Sequence, residues 1–155
     1  MKRNTLYIPA IMLLIITSGF VGWQGKTIYD KLETGVTKQS DSEVSHESWG
    51  DFYTYSPEAT TETFGTKNML TGVAVIEPGK QIHPPHQHSA EEFLFIVDGE
   101  GTWSIEGKEF KAQKGDMMYA EPWDWHGITN TGDTPLTFFV VKWDNKGVEL
   151  PKRKE

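Results

Sequence analysis

The sequence predicts an all-β domain, a sandwich or a small barrel, over residues 49–150. Short apolar or alternating runs follow one another: NMLTGVAVIEPG, EEFLFIVDGEG, GTWSIEGKEF, GDMMYAEPW, HGITNTGD and PLTFFVVKW. Turn residues at Asp98-Gly99, Glu106-Gly107 and Gly132-Asp133 mark the reversals between them, and no sustained helical period competes with that alternation. About 100 residues suffice for one hydrophobic core, and no internal repeat argues for a second barrel.

Taken in order, the chain opens with Lys2 and Arg3 and then carries no charge from Leu6 to Trp23. A cationic start before an apolar run is the signature of export. The run lies at the low end of the roughly 17–25 residues that span a bilayer. Residues 1–25 are therefore expected to form an uncleaved anchor helix, or a signal peptide cut after the small residues Thr17 and Gly19. Lys2 and Arg3 favour the cytoplasmic side, so the remainder is expected outside the cytoplasm, membrane-anchored or, if cut, periplasmic or secreted. Residues 26–48 read as a polar linker, in which Ile28, Tyr29 and Leu32 lack the apolar mass to pack and His46 is expected to be solvated. The folded domain is expected to start at Trp49, where Trp49, Phe52, Tyr53, Tyr55 and Phe64 bring rings that need burial. Residues 151–155, PKRKE, read as a basic solubilising tail.

Composition excludes several classes of function. Lys and Arg number 15 against 22 Asp and Glu, for a net charge of −7, and no basic stripe is present to neutralise phosphates, so nucleic acid is not an expected partner. The chain has no cysteine, which removes disulfides, thiolate metal sites and cysteine nucleophiles. Any metal must be held by nitrogen and oxygen.

Such a set exists. With the stretch from Gly79 to Gly99 extended, His86 and His88 point to one side and Glu92 keeps the same parity. His126 lies far enough along the chain to return on a neighbouring strand. Three imidazoles and a carboxylate suit borderline divalent cations such as manganese, iron, zinc, nickel or copper. A closed structural zinc site would more typically use thiolates, so an open site completed by water or substrate is expected.

These residues resemble the two motifs of the cupin superfamily. The first is a glycine, then His-x-His, a glutamate and a second glycine; His86, His88, Glu92 and Gly99 fall in place, with Gly79 one residue further out than usual. The second is a glycine, a Pro-x-Gly turn, a histidine and an asparagine, matched by Gly115, His126 and Asn130, with Glu121 and Trp123 standing where the proline and glycine are usual. The resemblance covers roughly residues 70–143. It implies a conical jelly-roll barrel with one divalent transition metal (manganese, iron, zinc or nickel) held inside by His86, His88, Glu92 and His126, and it implies that homodimers are common. It does not imply a reaction, because related barrels host many.

The pocket must therefore supply the function. If Glu92 points inward, so do Leu94 and Ile96, and Ile128 follows His126. His83, before two prolines, is a substrate-binding candidate at the barrel mouth. In the approach to His126, Trp123 and Trp125 are candidates for a substrate platform, and Glu121 and Tyr119 for the catalytic proton donor and acceptor. Trp103 and Trp143 are expected in the core or at a dimer contact. The leading expectation is a metal-dependent enzyme acting on a small carboxylate, hydroxy-carbonyl or sugar-derived substrate, of isomerase/lyase or dioxygenase type, with a lean to redox-neutral chemistry. The alternative is a non-catalytic, membrane-tethered cupin that binds a small molecule or metal.

Overall fold

A computed structural model describes residues 30–153. The expected export segment 1–25, Ile28, Tyr29 and the last two residues of the basic tail lie outside the described residues. Among the described residues, no helix is long and apolar enough to cross a membrane.

The strands in chain order are β1 (Asp30–Lys31), β2 (Glu43–Glu47), β3 (Gly50–Ser56), β4 (Thr61–Glu62), β5 (Thr66–Ile76), β6 (Glu91–Asp98), β7 (Glu100–Ile105), β8 (Lys108–Gln113), β9 (Met117–Ala120), β10 (His126–Thr129) and β11 (Leu136–Asn145), with one turn of 3-10 helix at Gln39–Asp41. A six-stranded sheet runs β2-β3-β5-β11-β6-β9, and a three-stranded sheet runs β10-β7-β8. The small pair β1-β4 is parallel. Every apolar run read from the sequence becomes a strand or a hairpin. At the β7–β8 turn, Glu106 (φ 50°) and Gly107 (φ 73°) both take left-handed backbone, which matches the twist of a two-residue hairpin. Gly99 (φ 83°) joins β6 to β7, and a Cβ there would lie 2.6 Å from the Pro135 carbonyl oxygen.

Alternation along these strands makes the core. Ile76, Ile96 and Leu136 are fully buried, with Trp103, Phe138 and Val140 packed beside them. Asn130, fully buried just after β10, ties three backbone groups together. Its side-chain amide donates to the Ile76 carbonyl (2.8 Å) and the Thr134 carbonyl (2.9 Å), and its oxygen accepts from the Gly132 N–H (3.0 Å). Asn130→Ala leaves the buried Ile76 carbonyl without its partner and removes two further bonds, and is expected to destabilise the domain by about 2–4 kcal/mol in urea unfolding.

Two expectations need correction. The stretch 26–48 contributes structure to the sheet: β2 pairs with β3 from Glu43↔Thr54 to Glu47↔Gly50. It went unread because an edge strand held by backbone hydrogen bonds needs no apolar alternation, and all of β2 is exposed. His46 is exposed, as expected, but its Nδ1 meets Asp51 Oδ1 across the strand pair at 2.7 Å. Phe64 does not find burial. It sits between β4 and β5 and is 93% exposed, whereas Trp49 and Phe52 pack against the core.

Candidate metal centre

The loop before β6 and the start of β10 bring the histidines together. His86 and His126 exchange backbone hydrogen bonds, each N–H to the other's carbonyl at 2.9 Å. Gln81 bridges Thr129 further along, so the loop lies along β10 as a partial strand. Pro84 and Pro85 interrupt it, since proline has no N–H to donate. Gly127 admits this approach, because a Cβ there would be 3.1 Å from Pro85 Cα. His86 and His88 thus occupy a stiff loop, not the regular strand that the parity argument assumed.

The three rings face one another, with centroids 5.2 Å apart for His86–His88, 4.6 Å for His86–His126 and 4.9 Å for His88–His126. One ligand nitrogen from each lies within 4.8 Å of the other two. Glu92, in β6, joins them: its Oε2 is 3.0 Å from His88 Nε2 and its Oε1 is 3.8 Å from His126 Nε2. The three expected histidines therefore converge, with the Glu92 carboxylate beside two of them.

Hydrogen bonding tests whether a metal fits. His126 Nδ1 donates to the Asp124 carbonyl (2.9 Å) and His88 Nδ1 donates to the Ala90 carbonyl (3.0 Å). In a neutral imidazole this leaves each Nε2 as a lone pair. His126 Nε2 is buried without a hydrogen-bond partner, as is His86 Nδ1. The His88 Nε2 lone pair would then face a carboxylate oxygen, an arrangement that calls for a proton or a cation between them. Orphaned buried nitrogens converging on an anion fit a divalent metal, with the carbonyls behind them fixing the tautomers.

Electrostatics agree. Burial lowers the pKa of His86 to about 4, helped by His83, His126 and His88, and burial lowers that of His126 too. For Glu92, burial alone would raise the pKa; the hydrogen bond from His88 and the charges of His126, His88 and Lys142 outweigh it and lower it. Neutral His86 and His126 imidazoles and an ionised Glu92 carboxylate are the forms that bind metal. Because His86 protonates less readily when folded, the metal-free protein is expected to lose stability as pH falls from about 6.5 towards about 4. Thermal melts across that range, in a chelator, check the sign.

A cavity of about 330 Å³ opens onto the centre. Its walls are mostly apolar, with Trp49, Phe52, Leu94, Met118, Ile128 and Phe138 among them, and its polar lining includes His83, His86, Glu92, His126, Glu47 and Lys142. Exposed His83 stands at the mouth, its ring 4.0 Å from that of His86. Lys142, opposite Glu92 in the β11–β6 register, holds Glu58 at 2.9 Å and has a side chain 17% exposed. Lys142 was missed by the sequence reading, although Leu136, Phe138, Val140 and Lys142 share one parity.

The remaining predicted site residues lie elsewhere. In β9, Met118 and Ala120 point inward, so Tyr119 points out. Its hydroxyl donates to Glu91 Oε2 (2.8 Å), and burial and Glu91 raise its pKa to about 12. Tyr119 and Glu121 line a separate outer groove with Trp143 and residues 148–151. Neither lines the metal cavity, which corrects their expected position as catalytic groups. Trp125 is also outside it, 45% exposed and tied to the hairpin turn by its N–H to Glu106 Oε1 (2.6 Å). Trp123 is turned away from the cavity, its indole N–H donating to the Pro151 carbonyl (2.5 Å).

Comparison with known proteins agrees with this architecture. Residues 72–142 match the Cupin domain family. A gentisate 1,2-dioxygenase from Aquipseudomonas alcaligenes is 33% identical over 56% of this chain, which spans only 23% of that enzyme's length. An oxalate-binding protein from Thermotoga maritima is 32% identical over 52% of this chain and 66% of its own. The crystal structure of a predicted oxalate decarboxylase from Thermotoga maritima superposes with a TM-score of 0.58 at 25% identity, covering 70% of this chain and 98% of that one. With its two β-sheets, its convergent histidines and residues 72–142 matched, the chain belongs to the cupin superfamily.

Proposed function

We propose that this chain is a metal-dependent cupin enzyme that acts on a small, largely apolar carboxylate, with dioxygenase-type chemistry. The observation that carries this reading is a convergent set of three histidines with Glu92 beside them, at an apolar-walled cavity that Lys142 also lines. His86, His88, Glu92 and His126 would hold the metal, and a divalent transition metal held there would supply Lewis-acid stabilisation of negative charge. Lys142 binds the substrate carboxylate, and the apolar walls enclose its body and keep water out.

The walls favour the small-carboxylate part of the substrate range expected from sequence. A sugar-derived acid carries several hydroxyls that need partners, and such walls offer few; a planar aromatic acid suits them. The relative named for gentisate supports the same class and the oxygen-using branch over the redox-neutral one. Oxygen uptake by the metal-loaded protein with gentisate, salicylate and catechol tests this. Consumption with a carboxylated ring is the expected outcome, and none with any member of the panel overturns the dioxygenase reading.

A second reading, a non-catalytic binder, is favoured by the likeness to the oxalate-binding protein. Saturable binding of oxalate or benzoate without turnover would select it. We further propose that the barrel acts outside the cytoplasm, on the strength of Lys2, Arg3 and the uncharged run from Leu6 to Trp23. Cell fractionation with protease protection tests that location.

A further inference from the structure

Trp123 is the backbone outlier of the site. It holds φ 70°, a left-handed conformation that glycine takes freely and a bulky residue does not. Such a conformation persists only where the surroundings over-determine it, and here they do so from two sides. Trp123 donates its backbone N–H to the His88 carbonyl at 2.7 Å, joining the loop that carries His86 and His88 to the turn that leads into His126. Its indole N–H donates to the Pro151 carbonyl. The next residue, Asp124, offers the carbonyl that fixes the His126 tautomer.

The segment 148–153 follows β11 and crosses the outer side of both loops. Val148, Leu150 and Pro151 line the outer groove with Tyr119 and Trp143. Arg153 then donates from Nε to Gln87 Oε1 at 3.0 Å, and Gln87 stands between His86 and His88. The segment therefore grips both ligand-bearing loops, once through Trp123 and once through Gln87.

We propose that residues 148–153 form a strap that positions the metal centre from outside the barrel, with Trp123 as the positioning residue that transmits it. The proposal rests on the metal reading given above. Trp123 touches neither metal nor substrate; it sets the distance between the His88 loop and the His126 turn and, through Asp124, the aim of the His126 ring. Without the strap the turn is free to leave its unfavourable conformation, and the three nitrogens lose their fixed separation. Groups that orient metal ligands from behind typically change affinity by about 10–100-fold.

Cobalt(II) affinity, read from visible absorption, tests this in the full chain, in a chain stopped after Leu150, in Trp123→Phe, and in the two changes combined. The stopped chain is expected to bind about tenfold more weakly. Trp123→Phe keeps the ring and removes the N–H donor; it should weaken binding comparably in the full chain and add nothing in the stopped one. Trp123→Gly relieves the backbone yet loses the grip, and should also bind more weakly. Equal affinity in the full and stopped chains, or additive losses in the combined variant, overturns the strap. Amide hydrogen exchange of Trp123 in metal-free protein gives a readout that does not depend on metal. Faster exchange in the stopped chain supports the strap, and unchanged protection overturns it. If the full chain binds no cobalt, the metal reading falls, and this exchange measurement alone decides the strap.

Discussion

His126→Ala is expected to weaken divalent-metal binding by about 10²–10³-fold, the share of one ligand in a site whose whole binding energy is about 10–16 kcal/mol. The ring is 2% exposed, its Nε2 lacks a hydrogen-bond partner, and its Nδ1 satisfies the Asp124 carbonyl. The substitution therefore also leaves a void and an unpaired carbonyl, which costs stability even without metal, by about 2–4 kcal/mol. Melting both proteins in a chelator and again with added metal separates the two effects. The wild type should gain stability from the metal, and His126→Ala should gain almost none. An equal gain in both would mean that the ion binds somewhere else.

Lys142→Met is expected to lower affinity for a small aromatic carboxylate by about 30–150-fold, and to leave affinity for the corresponding amide nearly unchanged. The estimate follows from removing one partner of a desolvated ion pair, about 2–3 kcal/mol. Lys142 suits that role because its side chain is only 17% exposed and lies across from Glu92 in the sheet. Its present partner Glu58 has a side chain 46% exposed, so water can solvate Glu58 once the lysine is gone, and the fold should survive the change. Isothermal titration of metal-loaded protein with benzoate and benzamide measures the contrast. A loss shared equally by the two ligands would assign Lys142 to packing.

The histidine set was legible from residue type and motif spacing, because cysteine is absent and His86, His88, Glu92 and His126 fall in the two cupin motifs. Strand parity did not carry it, since His86 and His88 sit in a loop. The barrel was legible for another reason: alternation in the runs from Asn68 to Trp143 survives folding, and turn residues such as Glu106 and Gly107 sit where the chain reverses. The opposite wall was misread through proximity in sequence. Tyr119 and Glu121 precede His126 closely, but β9 presents Met118 and Ala120 to the interior, and the same parity rule that found Glu92 would have turned Tyr119 outward. Lys142 shares the inward parity of Leu136, Phe138 and Val140, a pattern already present in the run PLTFFVVKW. Strand β2 carries no apolar alternation, and its place is set by backbone pairing alone. The contacts of Pro151 and Arg153 with the ligand loops depend on tertiary geometry, which spacing does not encode.

The account stands most directly on the metal content of the purified full chain, measured by elemental analysis beside His88→Ala. His88 is the ligand to change, since its side chain is 18% exposed and its loss disturbs the core less than that of His126. The account predicts about one divalent transition metal per wild-type chain and a small fraction of that in His88→Ala. Equal and negligible metal in both proteins after growth in metal-supplemented medium would contradict it.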